Sequence, residues 1–366
     1  MQEVMGLKNP GNTNWLYRVA KAELPNIEQS DYPPIVKMGF ELQAAKGVAD
    51  QKPISDQDRQ TIDHLIEEAK SLFPAAMADP DLPRQAVLNL FDQICETSLS
   101  VYGDRSTLSA PLFEQLQASK IDPSTVLTVQ GYFNLDYAWD ARGDGWASTI
   151  TDEGRKLMYQ RLAKAAAALE QAWQLDPTNS DAATQMLAVE LGQGEGRDRM
   201  ELWFGRAMTA DPDNYEACKA KLYYLEPKWY GSGDEMLKFG RECLAGGNWD
   251  AGIPYILVKA HLDLSEYGAN GLQSKPQRDY FTNNPQAWKD IESVYSEHRK
   301  HRPKSVMHDL MIARVAEWCG AWGMANQMFD EVGDAFDTSV FSAEEQDSVR
   351  QEARRHLIAS SQPTGG

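Results

Sequence analysis

Leu169, Ala172 and Pro177 return 35 residues later as Phe204, Ala207 and Pro212. A bulky residue, a small residue and a closing proline recurring at that period mark helical hairpins that stack on one another. Tyr295, His298 and Pro303 occupy the same relative places further along. Phe329 and Val332 follow 34 residues after Tyr295 and His298, with Gly320 and Trp322 at the intervening turn. The recurrence predicts an all-α chain built from stacked antiparallel helical hairpins, because each hairpin can bury its apolar face only against its neighbours.

Helical periodicity runs through most of the chain, and no stretch alternates apolar and polar residues between hairpin turns as strands do. Residues 1–54 are the least regular. Short helical patterns around Trp15–Glu23 and Ile35–Ala45 are interrupted by Pro25, Pro33 and Pro34, so this part is expected to be an irregular extension. A helical-repeat domain is expected over 55–360, and a flexible tail over 361–366. Ile62, Leu65, Ile66 and Ala69 share one face of the helix that starts near Ser55, and a second helix is expected over Ala86–Ser98. Pro111 after Ser109 and Pro123 after Asp122 read as first-turn prolines of two more. The helix from Pro123 is apolar on two sides, with Val126, Val129, Phe133 and Tyr137 on one and Tyr132, Leu135 and Trp139 on the other. Such a helix is buried between neighbours. It closes near Gly143. Further helices are expected over Asp152–Leu175 and Ser180–Leu191, the latter turning at Gly192-Gln193-Gly194. A capping box from Ser342 to Glu345 opens the last one.

The repeat spacing resembles the tetratricopeptide repeat, which implies an α-solenoid. The likeness is patchy, since 215–286 holds insertions and His298 stands where the repeat has a small residue. Two segments resemble something more particular. The run Tyr137-Ala-Trp-Asp-Ala-Arg-Gly-Asp-Gly-Trp146, then Thr151-Asp-Glu-Gly and Arg161-Leu-Ala-Lys164, is similar to the bacterial family called domain of unknown function 4034. Leu191-Gly-Gln-Gly194 and Tyr224-Leu-Glu-Pro-Lys-Trp-Tyr-Gly-Ser232 extend the resemblance over about 132–239. It implies a helical, repeat-like fold in bacteria with no established activity, so no catalytic residue carries over.

Charge narrows the function. Lys and Arg number 36 against 54 Asp and Glu, a formal net charge of −18. That balance repels phosphate backbones and argues against a nucleic-acid role. The basic run Arg299-Lys300-His301-Arg302 with Lys304 reads as cations at the negative end of a helix dipole. No stretch reaches the ~20 apolar residues of a membrane span, and Met1–Leu24 lacks an apolar signal core. The chain reads as soluble and cytoplasmic, an exported form with its signal removed being the other reading. Cys95, Cys218, Cys243 and Cys319 form no C-x-x-C pair and read as reduced core thiols.

Two segments concentrate groups that could recognise a ligand. Trp139, Arg142 and Trp146 crowd the end of one helix with Asp140 and Asp144, where glycines and tryptophans in one turn favour a packing role over binding, with Arg142 ordering the turn through a carboxylate. Lys228, Trp229 and Tyr230 lie on the rigid loop Glu226–Asp234, where a binding surface and a tucked-under Trp229 are equally compatible with the residues. His298, His301, Glu297 and His308 have a spacing that can coordinate a metal, but no dense motif such as H-E-x-x-H supports it. Asp136, Asp140 and Asp144 lack a calcium-loop register and read as solvated charges. Gly192–Arg197 follows a helix instead of a strand, which argues for a hairpin turn over a phosphate cradle.

These observations point to a non-enzymatic interaction or scaffold protein, without cofactor or metal, that binds a basic or amphipathic protein segment or assembles into a larger bacterial complex. The partner contacts expected are Trp139, Arg142, Trp146, Lys228, Trp229 and Tyr230. The competing expectation is a hydrolase or small-molecule-binding enzyme with a pocket between the Trp146 and Trp229 segments and Asp140 or Asp144 as base.

Overall fold

The computed structural model describes residues 24–51, 53–143, 145, 149–270, 277–301, 305–337 and 340–361. Most of the described residues are helical, and no strand occurs among them. The expectations for Trp15–Glu23, Asp144, Trp146, Pro303 and the residues after 361 lie outside them. The chain divides at Pro212 and Asp213 into two compact units.

The first unit holds α1 (Pro34–Ala49), α2 (Asp56–Ala76), α3 (Arg84–Tyr102), α4 (Ser106–Gln117), α5 (Pro123–Arg142), α6 (Asp152–Leu175), α7 (Ser180–Gln193) and α8 (Arg197–Ala210). Each packs on the next or next but one: α1 on α2 and α3, α3 on α4 and α5, α5 on α6 and α7, and α7 on α8. Although 34–49 falls in the stretch expected to be irregular, α1 is a full helix. Pro34 stands at its first turn, where the missing N–H costs nothing, and Met38 and Leu42 are buried in the same core as Phe73, Phe91 and Leu112.

Most helix ends follow the local chemistry of the sequence. Ser55 and Asp58 form a reciprocal capping box on α2, and Asp122 and Thr151 accept the N–H groups of Thr125 and Gly154 at the starts of α5 and α6. Gly143 ends α5 at φ +72°, a conformation that favours glycine. Helix α4 departs from expectation. It starts at Ser106, five residues before Pro111, because the Asp104 carboxylate accepts the N–H groups of Ser106 and Thr107. The hydroxyls of Ser106 and Thr107 donate to the same carboxylate, and chiefly these bonds, with the N–H groups adding, lower the Asp104 carboxyl to about 2. Pro111 is therefore an interior proline, and its lost hydrogen bond is tolerated within a helix anchored so firmly at its start.

The 35-residue recurrence has a structural counterpart at two turns. Asp176 and Asp211 end α6 and α8 in nearly the same extended conformation, φ −140° ψ 94° and φ −143° ψ 97°. Asn179 and Asn214 then cap α7 and the following helix by accepting from Ala182 and Ala217. Asn179 is wholly buried and fully used, since its amide also donates to Ser124 and Thr128, each at 2.8 Å. At the α5–α6 contact, a Cβ on Gly131 would lie 2.4 Å from the Leu169 side chain, so glycine sets how closely these two helices approach.

The second unit holds α9 (Tyr215–Tyr224), α10 (Gly233–Gly246), a 3-10 turn (Ile253–Tyr255), α11 (Ile256–Asn270), α12 (Gln277–Asn283), α13 (Pro285–His301), α14 (Val306–Trp318), α15 (Trp322–Val332) and α16 (Ala343–Ser361). Here too neighbours pack in order: α9 on α10 and α11, α11 on α12 and α13, α14 on α15 and α15 on α16. Its core includes Leu257, Phe281, Ile291, Leu310, Phe329 and Phe341. Ser342 accepts the N–H of Glu345 at the start of α16, and Glu345 in turn pairs with Arg314 at 2.7 Å. No helix among the described residues is long and apolar enough to cross a membrane.

Candidate functional site

Among the expected contacts that are described, the loop between α9 and α10 carries the most exposed aromatic surface. Asn214 starts α9, whose last turn closes with the Leu225 N–H on the carbonyls of Lys221 and Leu222. The chain then folds back sharply. Trp229 donates its N–H to the Glu226 carbonyl at 2.9 Å, and Tyr230 donates to the Tyr224 carbonyl at 3.3 Å. A Cβ on Gly231 would lie 2.3 Å from the Leu225 carbonyl oxygen, so only glycine lets the loop pass. Ser232 then caps α10 by accepting from Glu235.

This return path stacks loop onto helix. Trp229 meets Tyr223 edge-on at 5.8 Å, and Tyr230 lies over Tyr224 at 4.9 Å. Lys228 pairs with Glu226 at 2.6 Å and holds its ammonium 4.6 Å from the centre of the Tyr223 ring. Burial opposes the charge on Lys228, but hydrogen bonds to Glu226 and Tyr223 outweigh it and raise its pKa. Burial raises Glu226 as well, against the pull of Lys228. For the pair we take the ionised form, since a 2.6 Å contact between opposite charges favours both ions. Tyr224 is buried, Trp229 is half-buried, and Tyr223 and Tyr230 are 41 % and 47 % exposed. The presented surface is thus Tyr223, Lys228 and Tyr230 backed by Trp229. Tyr223 escapes a sequence reading because its place at the end of α9 gives no hint that the loop returns to it.

Trp139 and Arg142 belong to the first unit. The Arg142 guanidinium lies 5.7 Å from the Trp139 ring centre and donates to the carbonyls of Gly143 and Gly145 at 3.0 and 3.1 Å. It orders the helix end through these two carbonyl groups. The residues of the family-like motif do packing work around it. Arg161 lies over the Tyr137 ring at 3.4 Å, and a Cβ on Gly154 would approach the Ala141 carbonyl to 2.6 Å.

The carboxylates nearby are not simply solvated. Asp140 is paired with Arg105 at 2.7 Å, and Arg105 also holds Glu96 at 2.7 Å. Asp136 is pushed up to about 6 by burial, opposed by Arg105 and reinforced by Asp92, Asp140 and Glu96. Of the two bases considered for an enzyme, Asp140 is thus held in an ion pair and Asp144 lies outside the described residues. Asp136, expected from the sequence to be a surface charge, is instead a carboxyl raised toward neutrality by burial.

The histidines of the metal pattern are engaged in ring packing, His298 and His308 meeting at 5.0 Å. His298 is buried and hydrogen-bonds Tyr255, His308 stacks on Tyr255 at 5.3 Å, and His301 stacks on Trp249 at 5.4 Å. Glu297 pairs with Lys300. Among the described residues no group of three or more His, Cys, Asp or Glu side chains could hold a metal ion. A further polar chain was invisible in the sequence. His261, wholly buried, bonds Tyr280 at 2.9 Å and Asp290 at 3.1 Å, and Asp290 is held by Arg241 at 2.7 Å. Burial lowers the His261 pKa despite Asp290. The chain ties α10, α11, α12 and α13 together with its polar groups satisfied.

A cavity of about 460 Å³ in the second unit is lined by Trp288, Glu292, Trp322, Met324, Gln327 and His356, the Trp322 and His356 rings stacked at 4.2 Å. It contains none of the residues expected as contacts. Comparison with protein-family models, with curated proteins and with solved structures found no match.

Proposed function

We propose that this chain is a non-enzymatic interaction protein that uses the α9–α10 loop to hold a basic or amphipathic segment of a protein partner, within a larger bacterial assembly. The observation that carries the reading is the exposed Tyr223–Lys228–Tyr230 surface. Its backbone is fixed by Gly231 and by two loop hydrogen bonds. A surface ordered before binding loses little affinity to reorganisation, and tyrosines supply contact area at small entropic cost. The acidic balance of −18 supports a cationic partner.

Tetratricopeptide-like hairpin stacking and membership of the family of domain of unknown function 4034 belong to the same proposal. Successive packing of neighbouring helices and the matched turns at Asp176–Asn179 and Asp211–Asn214 support the first. The motif residues around Tyr137, Arg161 and Trp229 support the second. A photo-crosslinking amino acid placed at Tyr230 in the native host tests the binding reading. It should give one discrete adduct with a basic or amphipathic protein segment, and Tyr223→Ala should remove it. A well-folded protein that gives no adduct, or an adduct indifferent to Tyr223→Ala, overturns it.

A further inference from the structure

Helices α13, α15 and α16 each contribute to the cavity of about 460 Å³, a volume typical of small-ligand sites. Trp288 and Glu292 stand four residues apart on α13 and so share one face of it. Trp288 is half-buried, seated on the core around Ile291 and Phe329, and Glu292 is exposed. Among the described residues, the Trp288 ring has no ring or cation partner and the Glu292 carboxylate no hydrogen bond or ion pair. Trp322, also half-buried, is held differently. Its ring lies 4.2 Å from that of His356 with 3° between the planes, and the His356 Nε2 lies 4.0 Å from Glu352. That stack fixes the indole plane before any ligand arrives, which lowers the cost of binding.

The charge on the lining has a definite sign. Among the described residues no Lys or Arg lines the cavity, whereas Glu292 does. The start of α15 borders it as well, and Ala321 supplies no side-chain cap there. A helix start carries about half a positive charge, less than the full negative charge of a carboxylate. The lining is also poor in acceptors. Glu292 and Gln327 bring its only side-chain oxygens among the described residues, and the Gln327 amide nitrogen is spent on Glu331 at 2.9 Å.

These walls suit one kind of cation. A primary ammonium brings three N–H donors into a cavity with few acceptors, and donors buried without partners are costly. A quaternary ammonium carries its charge behind methyl groups and needs no acceptor. Indole faces and a carboxylate attract it together, and the Met324 thioether adds a polarizable contact. We propose that this cavity binds a small quaternary ammonium compound, its methylated nitrogen held against Trp288 and Trp322 with Glu292 supplying the opposite charge. The site shares no residue with the α9–α10 loop, so either assignment can fail while the other stands.

Titration of the full-length chain with choline, at pH 8 where an ordinary imidazole is neutral, provides the test. With isotope-labelled tryptophan, the indole N–H resonances of Trp288 and Trp322, assigned through Trp288→Phe and Trp322→Phe, should shift and saturate. Choline should bind roughly fivefold or more tighter than its uncharged isostere, in which carbon replaces the nitrogen. Glu292→Gln, a change at an exposed position, should weaken choline by about the same factor and leave the melting temperature unchanged. If neither resonance moves up to about 10 mM choline, or if the shifts fall only on other tryptophans, the site is overturned. Equal affinity for the isostere, or no effect of Glu292→Gln, overturns recognition of the charge. Acetate that saturates the same two resonances at lower concentration than choline would give control to the α15 amides, and overturns it too.

Discussion

Glu41 shows how far a single residue can depart from what its type suggests. A glutamate on a helix defaults to the solvent face, and the sequence around it gives no reason to place it elsewhere. In the structure it is 2 % exposed on α1, and burial, with Glu28 and Glu68 adding, pushes its carboxyl up to about 7 from an ordinary 4.5. A raised carboxyl pKa means the folded chain binds the proton more tightly than the unfolded one. The stability associated with the protonated form is therefore complete below pH 4.5 and is lost as pH rises through about 7. The loss is on the order of 3 kcal/mol. Glu41→Gln keeps the shape of the neutral acid and removes the titration. The variant should match the wild type in melting temperature at pH 5 and exceed it by several degrees at pH 8. An equal difference at both pH values would show that Glu41 is solvated. Asp136 escaped sequence reasoning for the same reason, because it is buried and distant groups, Arg105 and Asp92 among them, act on it.

Helix ends were legible and helix contacts were not, and the contrast has a physical basis. Ser55, Asp122, Thr151 and Ser342 each find a partner within three residues, so cap chemistry is written locally. Pro111 misled because Asp104, seven residues earlier, supplies a stronger start. The approach of α5 to α6 depends instead on Gly131 meeting Leu169, two residues that only the folded hairpin brings together. Gly131→Ala would put a methyl group 2.4 Å from the Leu169 side chain. Helix propensity alone favours Ala over Gly by up to about 1 kcal/mol, but overpacking of this kind costs about 1–3 kcal/mol. The clash should therefore prevail, and the urea midpoint should fall. Leu169→Ala should be destabilising alone, and the double variant should be more stable than the sum of the two changes predicts. Simple additivity in that cycle would mean that the two positions do not touch in solution.

For the molecule as a whole, the excess of acid is the property that no single contact can cancel. The visible ion pairs are mostly between exposed side chains, where each contributes little, and a formal charge of −18 remains as a field felt at a distance. A basic segment approaching the α9–α10 loop would be drawn in by that field first and held by Tyr223 and Tyr230 only on contact. These two stages separate kinetically. Long-range attraction acts on the association rate and is screened once the Debye length shrinks below the separation of the charges. Apolar and aromatic contacts act mainly on dissociation. With the partner segment recovered from the Tyr230 crosslink, the association rate should fall roughly tenfold or more between 0.05 and 0.5 M salt while the dissociation rate changes little. Tyr230→Ala should give the reverse pattern, faster dissociation with the salt slope retained. Surface-plasmon or stopped-flow measurements distinguish the two. A salt-independent association rate would mean that the acidic balance serves solubility and plays no part in recognition.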